Sequence, residues 1–331
     1  MAVLSTTNPT LADFAARLDG NDKVVADIVE ILGEENEVLQ DMTFIEANEY
    51  TSHRTTVRSG LPQGTWRKLN YGVQPEKSQT VPVRDTMGML ESYAEVDKSL
   101  ADLNGNSAAW RLSEDRAFVA GMSNTQARSL FYGDASIDPE KFMGLAPRFS
   151  SLAAENGQNI IDAGGTGADN TSIWLVVWGP NTIHGIYPKA SKAGLQTKDL
   201  GEVTLLDAAQ GRYQGYRTHY KWDTGLTLRD WRYVVRIANI DVSDLKADFT
   251  TGGANLIDLM IQATELIPAF GNGRPVFYMP RKLRSTLRRQ MINTKNVNLT
   301  LETVEGKRVT MFDEIPVRRT DAILLTEARV V

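Results

Sequence analysis

The sequence contains no cysteine and only three histidines among 331 residues. The absence of cysteine excludes a disulfide framework, a thiolate metal site and catalysis by a cysteine nucleophile. The histidines His53, His184 and His219 lie far apart, and none belongs to a His-Glu-x-x-His pattern, so no transition-metal site is predicted. No Gly-x-Ser-x-Gly elbow is present, and the landmark of many serine hydrolases is therefore also missing.

The chain also lacks an excess of positive charge and any long apolar run. Lys and Arg number 36 against 41 Asp and Glu, which gives a net charge of -5. Because general nucleic-acid-binding proteins are usually basic, any contact with nucleic acid is expected to be local. No stretch approaches the roughly 18 apolar residues of a membrane helix, and residues 1–10 lack the pattern of a signal peptide. We therefore expect a soluble protein of the cytoplasm.

What is present is organised around one long predicted helix at residues 107–131. Its apolar positions recur at three, four and seven residues, and Gly133 ends it. Such a helix would span roughly 38 Å, about the width of a small domain, and would serve as a spine for other elements. Its stripe consists of Ala108, Leu112, Val119, Met122, Gln126 and Leu130.

Residues 51–84 predict an extended hairpin that has no hydrophobic face of its own. Residues 51–58 favour β-structure, glycine and proline interrupt them, and a polar stretch at 77–84 leads back. The middle carries Trp66, Leu69 and Tyr71, which a solvated loop rarely keeps. The segment is either a loose loop or a hairpin completed by another subunit, and its aromatic residues favour the second interpretation.

The remaining segments predict a mixed α and β protein with strands at 90–96, 213–222 and 231–240. A hairpin is predicted from residues 172–178 and 182–187. The last eighty residues predict a helix at 255–266, a buried strand at 275–279, a helix at 280–292 and short strands that include 322–326. One face of the second helix is basic and carries Arg281, Arg284 and Arg288. It is either a solvated face or a surface for an acidic neighbour or packaged nucleic acid.

The order of these parts resembles the major capsid proteins of tailed double-stranded DNA bacteriophages, the Hong Kong 97-like fold, and most closely the podophage type. The resemblance covers most of the chain and lies in the order of the motifs. Those motifs are Phe44-Ile45-Glu46-Ala47-Asn48, Gly60-Leu61-Pro62, Trp66-Arg67-Lys68-Leu69-Asn70, Gly72-Val73, Val96-Asp97, Tyr132-Gly133-Asp134, Phe142-x-Gly144-Leu145, Gly185-Ile186-Tyr187-Pro188, Arg236-Ile237-Ala238-Asn239-Ile240-Asp241 and the helix-strand-helix at 255–292.

This resemblance implies an α+β fold with four parts. They are an N-terminal arm at 1–50, an E-loop hairpin at 51–84, a peripheral domain at 85–250 with the spine helix at 107–131, and an axial domain with C-terminal strands at 251–331. Trp66, Arg67, Leu69 and Tyr71 would contact a neighbouring subunit, and Arg281, Arg284 and Arg288 would face a neighbour or DNA.

The implied function is structural: self-assembly into the icosahedral shell that encloses the phage genome. The implied partners are copies of the chain in pentamers and hexamers, separate scaffolding and portal proteins, a possible cement protein, and packaged double-stranded DNA contacted without sequence specificity. Only about fifty residues precede the hairpin, so any scaffold is expected to be a separate protein. No catalytic residue, metal or cofactor is expected, and the location would be the virion capsid, assembled in the bacterial cytoplasm.

Some members of this class join a hairpin lysine to an asparagine of a neighbour. Lys68 and Lys77 lie in the hairpin, but no acceptor asparagine or activating acid can be matched, so a shell without covalent crosslinks is predicted. The competing class is a mixed α/β enzyme or small-molecule binder without a recognised motif.

Overall fold

A computed structural model describes residues 36–102, 107–207, 209–249, 252–294, 299–304 and 307–331. Most of the predicted N-terminal arm, residues 1–35, lies outside these ranges. The described chain forms two compact units. One comprises residues 89–127 and 194–223, and the other comprises residues 36–88, 128–193 and 224–331.

The described residues form thirteen strands and six α-helices. The strands are β1 Phe44–Glu46, β2 Ser52–Gly60, β3 Gln79–Asp97, β4 Ile160–Asp162, β5 Asn170–Trp178, β6 Ile183–Tyr187, β7 Gln196–Leu206, β8 Arg212–Leu228, β9 Val234–Asp241, β10 Arg274–Met279, β11 Leu299–Val304, β12 Lys307–Phe312 and β13 Ile315–Arg319. The helices are α1 Val38–Asp41, α2 Lys98–Ala101, α3 Ser107–Tyr132, α4 Leu145–Arg148, α5 Leu256–Glu265 and α6 Arg281–Thr294, with short 3-10 turns at Glu155–Asn159, Trp231–Tyr233 and Phe270–Asn272.

The larger unit is built on a mixed sheet whose central strand is β5. β5 pairs antiparallel with β9 on one side and with β10 on the other, and all nine of its residues are buried. β13 adds to β10 in parallel, and β12 and β11 follow in antiparallel order. β4 lies parallel to β9 at the opposite edge. A strand that is buried on both faces reads as a continuous apolar run, which matches residues 173–178.

Both faces of this sheet are covered by apolar side chains. On one face, α5 and α6 contribute buried residues such as Met260 and Leu287 to a common core with β5, β9 and β10. On the other face, the ring of Trp174 contacts Phe131 and Phe149, with ring centroids 6.3 and 6.0 Å away. The last turn of α3 is therefore part of this core.

A buried polar network fixes the C-terminal segment to the same sheet. Arg236 of β9 forms an ion pair with Glu327 at 2.9 Å and donates hydrogen bonds to the hydroxyl of Ser172 and the carbonyl of Phe149. Tyr132, the last residue of α3, donates its hydroxyl proton to Glu327 and accepts a bond from the backbone of Leu324.

The smaller unit joins residues 89–97 of β3, the first part of α3, and the ribbon formed by β7 and β8. β7 and β8 pair antiparallel from Gln196↔Lys221 to Leu206↔Arg212. Phe118 of α3 stacks on Tyr220 of β8 with ring centroids 5.6 Å apart, and the Tyr220 hydroxyl donates to Asp115. Burial and this carboxylate raise the pKa of Tyr220.

The predicted spine helix is confirmed, one residue longer than expected at Ser107–Tyr132. It ends where Gly133 and Gly144 meet: the Gly144 amide donates to the Gly133 carbonyl at 2.7 Å. A Cβ on Gly133 would lie 2.5 Å from the Phe142 carbonyl, so no other residue fits there. The predicted burial of Val119 is wrong, because its side chain is 36% exposed, whereas Met122 is only 5% exposed. The side chain at 119 lies on the flank of the helix.

Two predicted strand arrangements are also wrong. β5 and β6 do not form a hairpin; they share a single parallel pair, Trp178↔Ile183. β6 pairs instead with β1 in parallel and with the end of β8 in antiparallel order. The predicted strand at 322–326 is absent from the described chain, where these residues form bends held by the side chains of Tyr132 and Asn36. Such long-range pairings leave no local pattern.

The two units divide the chain differently from the predicted boundary after residue 250. The strands β4, β5, β6 and β9, which precede that boundary, lie in one sheet with β10 and β13, which follow it. The smaller unit comprises only residues 89–127 and 194–223 of the predicted peripheral segment.

Candidate intersubunit surfaces

The hairpin at residues 51–84 is a two-stranded antiparallel ladder at its root and has no strand at its tip. β2 and β3 pair from Ser52↔Thr86 to Gly60↔Gln79, with an irregularity near residue 59. Asp85 at the root is buried and forms an ion pair with Arg148 at 2.8 Å. Arg84 bonds to Glu49 and to the hydroxyl of Ser52. The root is thereby fixed by charge and hydrogen bonding, because threonine and arginine supply it with little apolar area.

The tip, residues 61–78, presents its large apolar side chains to solvent. Trp66 is fully exposed, and Leu69 is 85% exposed. Tyr71 and Val73 are also exposed, and Arg67 and Lys68 lie beside Trp66 with no ion pair to any described residue. Residues of this size and character are usually covered, so the tip is an exposed apolar surface with a basic rim.

The predicted basic face of α6 is only partly available for contacts. Arg281 forms an ion pair with Asp321, and Arg284 is half-buried and donates to the hydroxyl of Thr310 at 2.8 Å. Burial lowers the pKa of Arg284. Arg288 is exposed, as is its neighbour Arg289, and neither has an ion pair within the described residues. The free cations of the helix are therefore Arg288 and Arg289, and the sequence pattern alone did not distinguish them from Arg281 and Arg284.

The described residues include no group of three or more His, Asp or Glu side chains that could hold a metal ion. His53 and His184 do lie together, with ring centroids 5.9 Å apart in an edge-to-face arrangement. Burial, His53 and Arg229 together lower the pKa of His184 to about 4, while the nearby Gly179 backbone raises it slightly. Burial also lowers the pKa of His53, so the charged form is disfavoured at both rings. No described helix is long and apolar enough to cross a membrane.

Sequence reasoning missed the electrostatic contacts that hold residues 36–41 against the sheet. Asp41 is buried and accepts from Arg318 and Tyr278, and it forms an ion pair with Arg274 at 2.8 Å. Glu37 adds a second ion pair with Arg318 at 2.8 Å. The partners are separated by more than 230 residues, so no local spacing could have indicated them.

A mixed sheet with two helices on one face, a long helix and an extended hairpin with an exposed tip are the parts expected of a Hong Kong 97-like phage capsid subunit. The sequence model of the major capsid protein GP7 family matches residues 19–331, and the chain belongs to this family. The protein is therefore a structural subunit that self-assembles into a phage capsid shell, as the sequence predicted.

Solved structures agree with this assignment. A chain of the cryo-EM structure of bacteriophage Epsilon15 is 40% identical, with a TM-score of 0.78 over 100% of this chain and 99% of that one. The bacteriophage JBD30 capsid is 12% identical, with a TM-score of 0.52 over 88% of this chain and 93% of that one, and it shows the shared fold. No curated protein matches the sequence. The alternative of an enzyme or small-molecule binder receives no support from these matches.

Proposed function

We propose that residues 51–84 are the arm by which each copy of this chain holds a neighbouring copy in an icosahedral shell of pentamers and hexamers. The observation that carries the proposal is the exposure of the tip: no apolar side chain of the described residues covers Trp66, Leu69 or Tyr71. Arg67 would lie at the rim of the same contact. Buried aromatic anchors dominate the energy of protein interfaces, and a closed shell repeats each contact many times.

The arm is suited to this role because its root and its tip differ in chemistry. The root is joined to its own subunit by the Asp85–Arg148 and Arg84–Glu49 ion pairs, so the arm has a fixed origin. The tip carries exposed apolar residues such as Trp66 and Leu69, and none of its residues belongs to the core formed by the described part of the chain. Its removal is therefore expected to disturb assembly more than folding.

The test is to replace residues 65–73 with a glycine-serine linker of equal length. The purified subunit should keep its secondary structure and melting temperature, while negative-stain images should show few or no closed shells. Closed shells in normal yield would overturn the proposal, and an unfolded subunit would show that the tip belongs to the core.

We propose that the exposed end of α6 contacts packaged double-stranded DNA without sequence specificity. Arg288 and Arg289 carry this proposal, since both are exposed and unpaired within the described chain. Arg281 and Arg284 would contribute long-range potential only, because one is bound to Asp321 and the other is half-buried. A net charge of -5 keeps such contacts local and weak.

The remaining proposed partners of the shell are other proteins. A portal and a scaffold would be separate proteins, a cement protein is a possible addition to the shell, and assembly would take place in the bacterial cytoplasm.

Lys68 and Lys77 would remain unmodified, so denatured particles should run as a single band near 36.7 kDa. Division into a peripheral domain at 85–250 and an axial domain at 251–331 is retained as a proposal about roles within the shell.

A further inference from the structure

The tip of the hairpin carries one internal tie that joins its two limbs. The Oε2 atom of Glu76 accepts a hydrogen bond from the backbone amide of Gln63 at 2.9 Å and a second from that of Gly64 at 3.1 Å. Gly64 has a φ of +67°, in the left-handed region that favours glycine. This conformation turns two successive amides toward the same carboxylate, in the manner of an anion-binding nest.

The rest of the tip has little to hold it. The β2–β3 ladder ends at Gly60↔Gln79, so none of the residues between them is in a strand. Among the described residues, the only other hydrogen bond within the tip closes a turn from the Tyr71 amide to the Lys68 carbonyl at 3.2 Å, with Asn70 at a φ of +65°. In the sequence, Trp66 lies between the Glu76 tie and this turn, and it is fully exposed.

We propose that Glu76 is a positioning residue that fixes the tip in its binding conformation before the subunit meets its neighbour. This inference rests on the proposed role of the tip in assembly. Without the tie, only the local turn at residues 68–71 holds the chain between residues 60 and 79 among the described hydrogen bonds, and ordering this loop would oppose each intersubunit contact. With the tie, that ordering is completed in the free subunit. Glu76 itself does not need to touch the neighbour.

Two substitutions remove the tie by independent routes. Glu76→Ala removes the acceptor. Gly64→Ala disfavours the positive φ that aims the amides, and the added Cβ meets no atom within 4 Å, so it introduces no clash. Each is expected to raise the subunit concentration needed for half-maximal assembly about threefold to tenfold, because a flexible binding segment must be ordered on contact. The melting temperature should not change.

The chain offers a matched control for each variant. Lys77→Gln removes an exposed charge next to Glu76 that makes no ion pair in the described chain. Gly201→Ala makes the same change at a glycine outside the hairpin whose φ is +69°, again with no atom within 4 Å of the added Cβ. Both controls should assemble like the unsubstituted protein.

Hydrogen exchange of the free subunit distinguishes a positioning role from direct contact with the neighbour, because a contact residue would not change amide exchange before assembly. The amides of Gln63 and Gly64 should be protected in the unsubstituted chain and lose protection in Glu76→Ala. Unchanged exchange, or unchanged assembly of both tie variants, would overturn the inference. So would weakened assembly of Glu76→Ala with normal assembly of Gly64→Ala, since this would mean that Glu76 contacts the neighbour directly. Failure of the proposed function is distinguishable, because Trp66→Ala would then also assemble normally.

Discussion

Arg236 and Glu327 form an ion pair in which both side chains are only 5% exposed, with Nη2 and Oε2 2.9 Å apart. The pair joins a central strand to the last residues of the chain. The pair is further hydrogen-bonded to Ser172, Tyr132 and the Phe149 carbonyl, and the guanidinium lies 5.1 Å from the centre of the Trp174 ring. A buried charge is tolerated only when it is paired and hydrogen-bonded in this way.

Removing one member of this pair is therefore expected to be severe. Glu327→Gln leaves the guanidinium of Arg236 without its counter-charge and should lower the free energy of unfolding by about 3–5 kcal/mol. The measurement is urea unfolding of the purified subunit. Lys141→Gln is the control, because its pair with Asp138 is solvent-exposed and should contribute less than about 1 kcal/mol. Equal stability of Glu327→Gln and the control would show that the network is not formed.

The spine helix allows a paired test of burial within one turn. Met122 is 5% exposed, so Met122→Asp places an unpaired carboxylate in the core of the smaller unit and should abolish soluble folding. Val119 is 36% exposed, so Val119→Asp should fold and assemble with a change in stability within about 1 kcal/mol. The measurement is soluble yield together with circular dichroism. If both variants fold, or both fail, the orientation of the helix is misassigned.

Much of the architecture could be predicted because it depends on local patterns. The spacing of apolar residues predicts the spine helix, and Gly133 predicts where that helix ends. The predicted strand at 172–178 is confirmed, although its predicted hairpin with 182–187 is not. What could not be predicted depends on distant residues: the pairing of β6 with β1 and β8, and the bonds from Arg318 to Asp41. The basic face illustrates the same limit, because helical spacing identifies the arginines but not that Asp321 neutralises Arg281.

Acid should destabilise the subunit through His184. Its folded-state pKa of about 4 lies below the ordinary histidine value of 6.5, so the unfolded chain binds the proton first as the pH falls. Stability should decline between pH 6.5 and 4 by about 3 kcal/mol from this residue. Below that range the contribution of this residue to stability is fully lost.

The measurement is urea unfolding at several pH values, compared with His184→Gln. Carboxylates titrate in the same range, so the relevant quantity is the difference between the two proteins. The unsubstituted protein should lose more stability on acidification than the variant. The pKa of His53 is also lowered, chiefly by burial, and its contribution has the same sign in both proteins. Parallel curves would contradict the prediction.

The proposed DNA contact can be tested through its salt dependence. Neutralising both free cations, in Arg288→Gln with Arg289→Gln, should reduce the slope of log affinity against log salt for duplex DNA by about two. Assembled shells are opened, and their affinity for duplex DNA is measured at several salt concentrations. Lys189→Gln, an exposed lysine away from α6, is the control and should change the slope by less than one. An unaltered slope in the double variant would show that α6 does not contact the DNA.

Trp66 provides the most direct test of the arm. Its side chain is fully exposed in the subunit, so Trp66→Ala buries and uncovers no apolar surface within the described residues and should leave the melting temperature unchanged. In the shell the same side chain is expected to be an anchor, and truncation of such anchors costs about 2 kcal/mol or more per contact. Assembly yield, measured by light scattering and negative-stain imaging, should fall steeply because every subunit loses the contact. Tyr50→Ala is the matched control, since Tyr50 is also an exposed aromatic residue but lies outside the tip. A variant that melts much earlier yet still forms shells would place Trp66 in the core of its own subunit and contradict its role as an intersubunit anchor.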